Sequence, residues 1–247
     1  VRGHQPFFVV AAVFAVLSIG GWLAILEGAA APSWSLPAAS WHAHEMLFGY
    51  TVAVLAGFLL LGARGPRVGL LVAIWAAGRL VMAATWMIPA ELVAAIDLSF
   101  APALVLLRTP TLWGSWKWPT TAFIPLLGAT AVANLLWHLD AMGIASGGAR
   151  AGELLMLDLL TLMMVVMAGR LIPGYTRAML IPVRAPKDPV LERWSIAFAL
   201  ALAISDQTGS AVPAGVSAGV LGGLRAVRLS GWRTRDVLRR PILLVLH

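Results

Sequence analysis

Phe7-Phe8-Val9-Val10-Ala11-Ala12-Val13-Phe14-Ala15-Val16-Leu17-Ser18-Ile19-Gly20-Gly21-Trp22-Leu23-Ala24-Ile25-Leu26 is an unbroken run of twenty residues without a charge. About twenty apolar residues in a helix cross the ~30 Å hydrocarbon core of a bilayer, so this stretch predicts a first membrane span. No convincing small-residue cleavage pattern follows it and more apolar runs do, which makes it a retained helix and not a signal peptide. The whole chain agrees. Its 247 residues are 60% hydrophobic and 12% charged, with a mean hydropathy of +0.86, far too apolar for a domain whose surface is wetted. The expected fold is an all-α, polytopic transmembrane helix bundle, with residues 1–247 as a single domain.

Outward from the first run, Glu27 to Trp41 is a loop bearing Pro, Ser and Trp, with Trp34 and Trp41 suited to the membrane interface. Span 2 is expected from about His44 to Ala63, ended by Arg64-Gly65-Pro66-Arg67. Span 3 covers Val68 to Ile88 around Arg79, and span 4 covers Ala90 to Leu107 with Asp97 and Pro102 inside it. A loop rich in Trp follows, with Trp113, Trp116 and Trp118. Span 5 is Thr120 to Met142, span 6 is Gly152 to Ile172, span 7 is Trp194 to about Ser205, and span 8 is Ala211 to Leu229. Between spans 6 and 7, Pro173 to Arg193 reads as a polar connection whose prolines oppose a long helix. Pro241 to His247 reads as the start of a ninth span.

The positive charges test this map independently. With a cytoplasmic N-terminus, 16 of the 18 Lys and Arg residues fall on the inner side, leaving Arg79 inside a span and Arg150 outside, as the positive-inside rule requires. A net charge of +7 therefore reads as topology and not as a nucleic-acid surface, which would need a basic face on a soluble fold. Cysteine is absent, which excludes disulfides, thiolate metal sites, iron–sulfur clusters and covalent CxxCH haem attachment.

Chemistry concentrates in Trp41-His42-Ala43-His44-Glu45-Met46-Leu47-Phe48-Gly49-Tyr50. Imidazole ligates transition metals and haem iron, and a neighbouring carboxylate ligates, orients a ring or moves protons. Residues two apart on a helix point about 200° apart, so His42 and His44 cannot both face one pocket from a continuous helix. Sharing a site requires His42 at or before the N-cap, with Glu45 in the first turn where the helix dipole favours it. The pattern is not His-Glu-x-x-His, because Phe48 stands four residues after His44. On this topology His42, His44, Glu45 and His138 all lie near the outer face, where His42, His44, Glu45 and His138 are candidate metal ligands.

Ionisable residues inside spans are costly and informative. Arg79 and Asp97, on adjacent spans, are placed to neutralise one another or to line a path. Asn134 lies four residues before His138 on the same face, suited to a supporting hydrogen bond, and Asp158 is a candidate to orient a ring. Met156, Met163, Met164 and Met167 suit copper(I) but read more simply as packing. Gly215, Gly219 and Gly223 recur every four residues, a surface for close helix packing.

His42-Ala43-His44-Glu45-Met46-Leu47-Phe48-Gly49-Tyr50 resembles the hallmark of the NnrS family. Further stretches agree in order: Gln5-Pro6-Phe7-Phe8, with Gln in place of the family's Arg; Ala133-Asn134-Leu135-Leu136-Trp137-His138-Leu139; Gly169-Arg170-Leu171-Ile172-Pro173-Gly174-Tyr175-Thr176-Arg177; and Leu246-His247, where the family has Leu-His-Leu-Gly-Tyr. The resemblance implies a haem- and copper-containing, multi-pass protein of the bacterial inner membrane linked to nitric oxide metabolism and nitrosative stress. It also implies about twelve spans in a full member, so that this chain lacks the C-terminal third. On that resemblance His42, His44, His138 and His247 become candidate cofactor ligands, and Arg170 joins Arg79, Asp97, Asn134 and Asp158 as a supporting polar residue. Nitric oxide or a related small molecule is the implied ligand, with the lipid bilayer as surroundings. Two other readings of the residues stay open: a cation or metal transporter, with a polar path through Arg79, Asp97 and Asp158; and a membrane assembly partner docking through span 8.

Overall fold

A computed structural model describes residues 4–29, 37–60, 65–113, 123–179 and 188–231. They are helical, with turns and no strand among them. The chain divides into two compact units, Val1–Met156 and Leu157–His247. In the first run α1 (His4–Leu26), α2 (Ala38–His44), a π-helical segment (Glu45–Thr51), α3 (Val52–Leu59), α4 (Pro66–Ala83), α5 (Ala90–Leu98), α6 (Phe100–Trp113) and α7 (Phe123–Ala141). α8 (Gly148–Met179) begins in the first unit and ends in the second, which also holds α9 (Pro189–Gln207) and α10 (Ala211–Gly231). Four stretches among the described residues are long and apolar enough to cross a membrane: Gln5–Leu26, Pro66–Ala83, Ala90–Leu107 and Gly148–Gly169.

Local chemistry sets the breaks. Pro66 and Pro189 stand in the first turns of α4 and α9, where a missing N–H costs nothing. Asp188 caps α9, its carboxylate accepting from the Val190 and Leu191 amides at 2.9 and 3.1 Å. The expected fourth span, Ala90–Leu107, runs through both α5 and α6, with one irregular residue at Ser99 that keeps helical angles (φ −65°, ψ −23°), where Pro102 has no N–H to offer the Leu98 carbonyl. The Ser99 hydroxyl donates to the Ile96 carbonyl at 2.6 Å.

Two expectations are corrected. α8 continues through Pro173 to Met179, because a long helix tolerates the loss of one ladder bond when the flanking turns hold, so the connection is shorter than Pro173 to Arg193. The glycine face of α10 is not a packing surface among the described residues: a Cβ on Gly215, Gly219, Gly222 or Gly223 would meet nothing within 4 Å. α10 packs instead against α9, and Leu221 joins Val165 and Ala199 in a small core of the second unit. Close glycine packing occurs elsewhere, where a Cβ on Gly152 would strike the Ala133 carbonyl of α7. The ninth span, Trp34, Trp116 and Trp118 lie outside the described residues.

In the first unit, α1 packs on α3 and the π-helical segment, α4 on α5 and α6, and α7 on both α5 and α6. The junction of α2 with the π-helical segment is thereby brought to α4, α5 and α7.

Candidate metal centre

A π-helix closes i→i+5 bonds and is rare, recurring at functional sites. Here seven residues, Glu45–Thr51, adopt it immediately after His44, and Thr51 Oγ1 donates to the Met46 carbonyl at 3.0 Å. The wider turn is held from outside by Trp75 of α4, whose Nε1 donates to the Gly49 carbonyl at 3.0 Å. Two glycines admit the charges. A Cβ on Gly49 would lie 2.6 Å from Arg79 Nη1, and one on Gly78 would lie 3.0 Å from Asp97 Oδ1.

The helices bring six polar side chains together: His44 (0% exposed), Glu45 (1%), Arg79 (8%), Asp97 (4%), Asn134 (9%) and His138 (2%). Arg79 bridges two carboxylates, with Nη1 donating to Glu45 Oε1 at 2.7 Å and Nη2 to Asp97 Oδ1. The other Asp97 oxygen, Oδ2, accepts from Asn134 Nδ2 at 2.8 Å and faces His138 Nε2 at 3.0 Å and His44 Nε2 at 3.4 Å. His44 has oxygen acceptors against both ring nitrogens: Nδ1 lies 3.2 Å from Glu45 Oε1 and Nε2 lies 2.9 Å from Asn134 Oδ1. A neutral imidazole has one N–H, so this edge of the cluster has more acceptors than donors and suits a cation. Ligand atoms of His44, Asp97 and His138 lie within 4.8 Å of one another, close enough for one metal ion.

Aromatic rings wall the site. His44 sits 4.2 Å from Trp137 and 5.4 Å from His138, centroid to centroid. Trp137 is pinned from behind by Nε1 donating to Glu153 Oε1 at 3.2 Å. Cavities beside the cluster are small: about 20 Å³ against Arg79, Asp97 and Asn134, and about 30 Å³ against His138, Met82 and Thr85. Each has room for a water or a diatomic molecule.

His42 is elsewhere. With Pro37 as the N-cap, both His42 and His44 are helical, so the divergence of residues two apart holds and the alternative with His42 in the cap does not. His42 stacks on Trp22 of α1, 4.8 Å between centroids and 10° between planes. Asn134 supports the cluster through His44 and Asp97, and no bond joins it directly to His138 among those observed. Asp158 belongs to the second unit, where its partners are Asp206 and Gln207. Arg170 is within α8, but its side chain and all of His247 lie outside the described residues. Trp75 and Gly78 escaped the sequence reading, and Gly49 and Trp137 stood only inside stretches that resemble the family, without a role of their own. The roles of all four depend on which neighbour faces them.

A family model described as NnrS protein matches residues 1–247, the entire chain. No curated protein sequence and no solved structure matches it.

Proposed function

We propose, from the premise that this chain belongs to the NnrS family, that it is a copper-binding protein of the bacterial inner membrane acting in nitric oxide metabolism or resistance to nitrosative stress. In this reading it spans the membrane eight times from a cytoplasmic N-terminus, with lipid around it and nitric oxide or a related small molecule as its ligand. One observation carries the reading: two histidines and an aspartate from three separate helices, all buried, bring ligand atoms within 4.8 Å of one another. His44 and His138 would hold the ion through ring nitrogens, and Asp97 would ligate it or orient both rings. Copper supplies a Lewis-acidic, one-electron centre able to bind nitric oxide. The chain's own residues do the rest: Glu45 orients His44 through Nδ1, Asn134 holds Asp97, Trp137 and Phe48 exclude water from the His44 ring, and the small cavity beside His138 admits a diatomic molecule and little more.

Haem does not fit this cluster. Ligand pockets for molecules of that size run to roughly 300–1,000 Å³, against about 20 and 30 Å³ here. The test is elemental analysis with visible and paramagnetic resonance spectra of detergent-purified protein, with and without nitric oxide. Copper that His44→Ala and His138→Ala lose and His42→Ala keeps would support the assignment. Copper lost only with His42→Ala, or none bound in folded wild type, would end it.

A further inference from the structure

The buried charges around the cluster do not cancel. Glu45 and Asp97 contribute two negative charges and Arg79 one positive, and all three side chains are at least nine-tenths buried. Metal-bound histidines are neutral, and the remaining neighbours Asn134, Trp75 and Trp137 carry no charge. Glu153 touches this group only through the Trp137 indole. Resting on the metal reading above, we infer that Arg79 sets the charge of the ion: the cluster carries one net negative charge, so a monovalent cation such as Cu(I) neutralises it, whereas a divalent ion leaves an uncompensated charge in a buried site.

The position of the guanidinium favours the same ion. Asp97 is divided, with Oδ1 held by Arg79 and Oδ2 toward the histidines. The guanidinium thus sits one carboxylate away from the ion and repels a second positive charge at close range. A unit charge ~5 Å away in a medium of effective dielectric ~20 changes an equilibrium by a factor on the order of a hundred.

The test is competitive binding of Ag(I), a redox-stable monovalent probe, and Zn(II) to the detergent-purified chain, reading the ratio of the two affinities. Arg79→Gln is expected to move that ratio toward Zn(II) by at least about tenfold, and Arg79→Lys to leave it near the wild-type value. Glu45→Gln, which keeps the guanidinium, is expected to move it toward Ag(I), and it serves if Arg79→Gln does not fold. A ratio that does not respond to either charge change overturns the inference while leaving the metal site standing. Neither ion depending on His44 or His138 removes the metal reading, and this inference with it.

Discussion

Replacing Gly49 with alanine sets two effects of opposite sign against each other. Glycine inside a helix costs about 1 kcal/mol relative to alanine, so on propensity alone the change stabilises. The new Cβ, however, falls 2.6 Å from Arg79 Nη1, 3.0 Å from Phe14 Cε1 and 3.2 Å from Arg79 Cδ. Nη1 is the atom that donates to Glu45 at 2.7 Å, and Nη2 is tied to Asp97. The guanidinium therefore cannot withdraw without releasing a buried carboxylate. Overpacking costs about 1–3 kcal/mol and breaking a buried ion pair about 3–5 kcal/mol. Partial relaxation between these limits gives a net loss of roughly 2–4 kcal/mol after the propensity gain. At roughly 2–4 °C per kcal/mol for a chain of this size, the apparent melting temperature should fall by at least about 4 °C. The assay is thermal unfolding in detergent followed by tryptophan fluorescence, with Gly69→Ala as control. A Cβ at Gly69 meets nothing within 4 Å, so that variant should melt at or slightly above wild type. Gly49→Ala melting as high as Gly69→Ala would refute the claim that Arg79 is confined.

Other outcomes follow from the same contacts. Trp75→Phe loses the bond to the Gly49 carbonyl, but that carbonyl also accepts from Val52, so chemical denaturation should register a loss of only about 1 kcal/mol. Gly209 turns α9 into α10 at φ 67°, with Ser210 donating to the Ser205 carbonyl at 2.9 Å; Gly209→Ala should lower stability by about 1 kcal/mol or more, and a rise in melting temperature would contradict the turn geometry. Because the chain has no cysteine, single cysteines report topology directly. Ser146→Cys in intact cells should react with a membrane-impermeant maleimide, while Arg67→Cys should react only after permeabilisation, and the reverse pattern would invert the proposed orientation.

The helical class and the place of most helices were legible in the sequence because hydrophobic run length and Pro or Gly punctuation act locally. The Phe7 to Leu26 run became α1, and Pro66 and Pro189 opened helices. Pro173 misled for the same reason: a local rule about one missing donor says nothing of the turns on either side that keep α8 going. At the site, the hallmark stretch singled out His44 and Glu45, and the rarity of charges in apolar runs singled out Arg79 and Asp97; periodicity left His42 a place beside His44 only from the N-cap, and the start of α2 at Ala38 removed that place.

What no local pattern held was who meets whom. That His42 goes to Trp22 while His44 goes to Asn134, Asp97 and Glu45 depends on how α1, α4, α5 and α7 surround the π-helical turn. The sequence by itself determined a helical, membrane-type chain with a few buried charges, because burying such groups is expensive enough to limit them to places where they act. Only the tertiary structure decided that two carboxylates share one guanidinium and that one of them faces two histidines, because a charge's partner is chosen by distance in space, across helices as much as ninety residues apart in the chain.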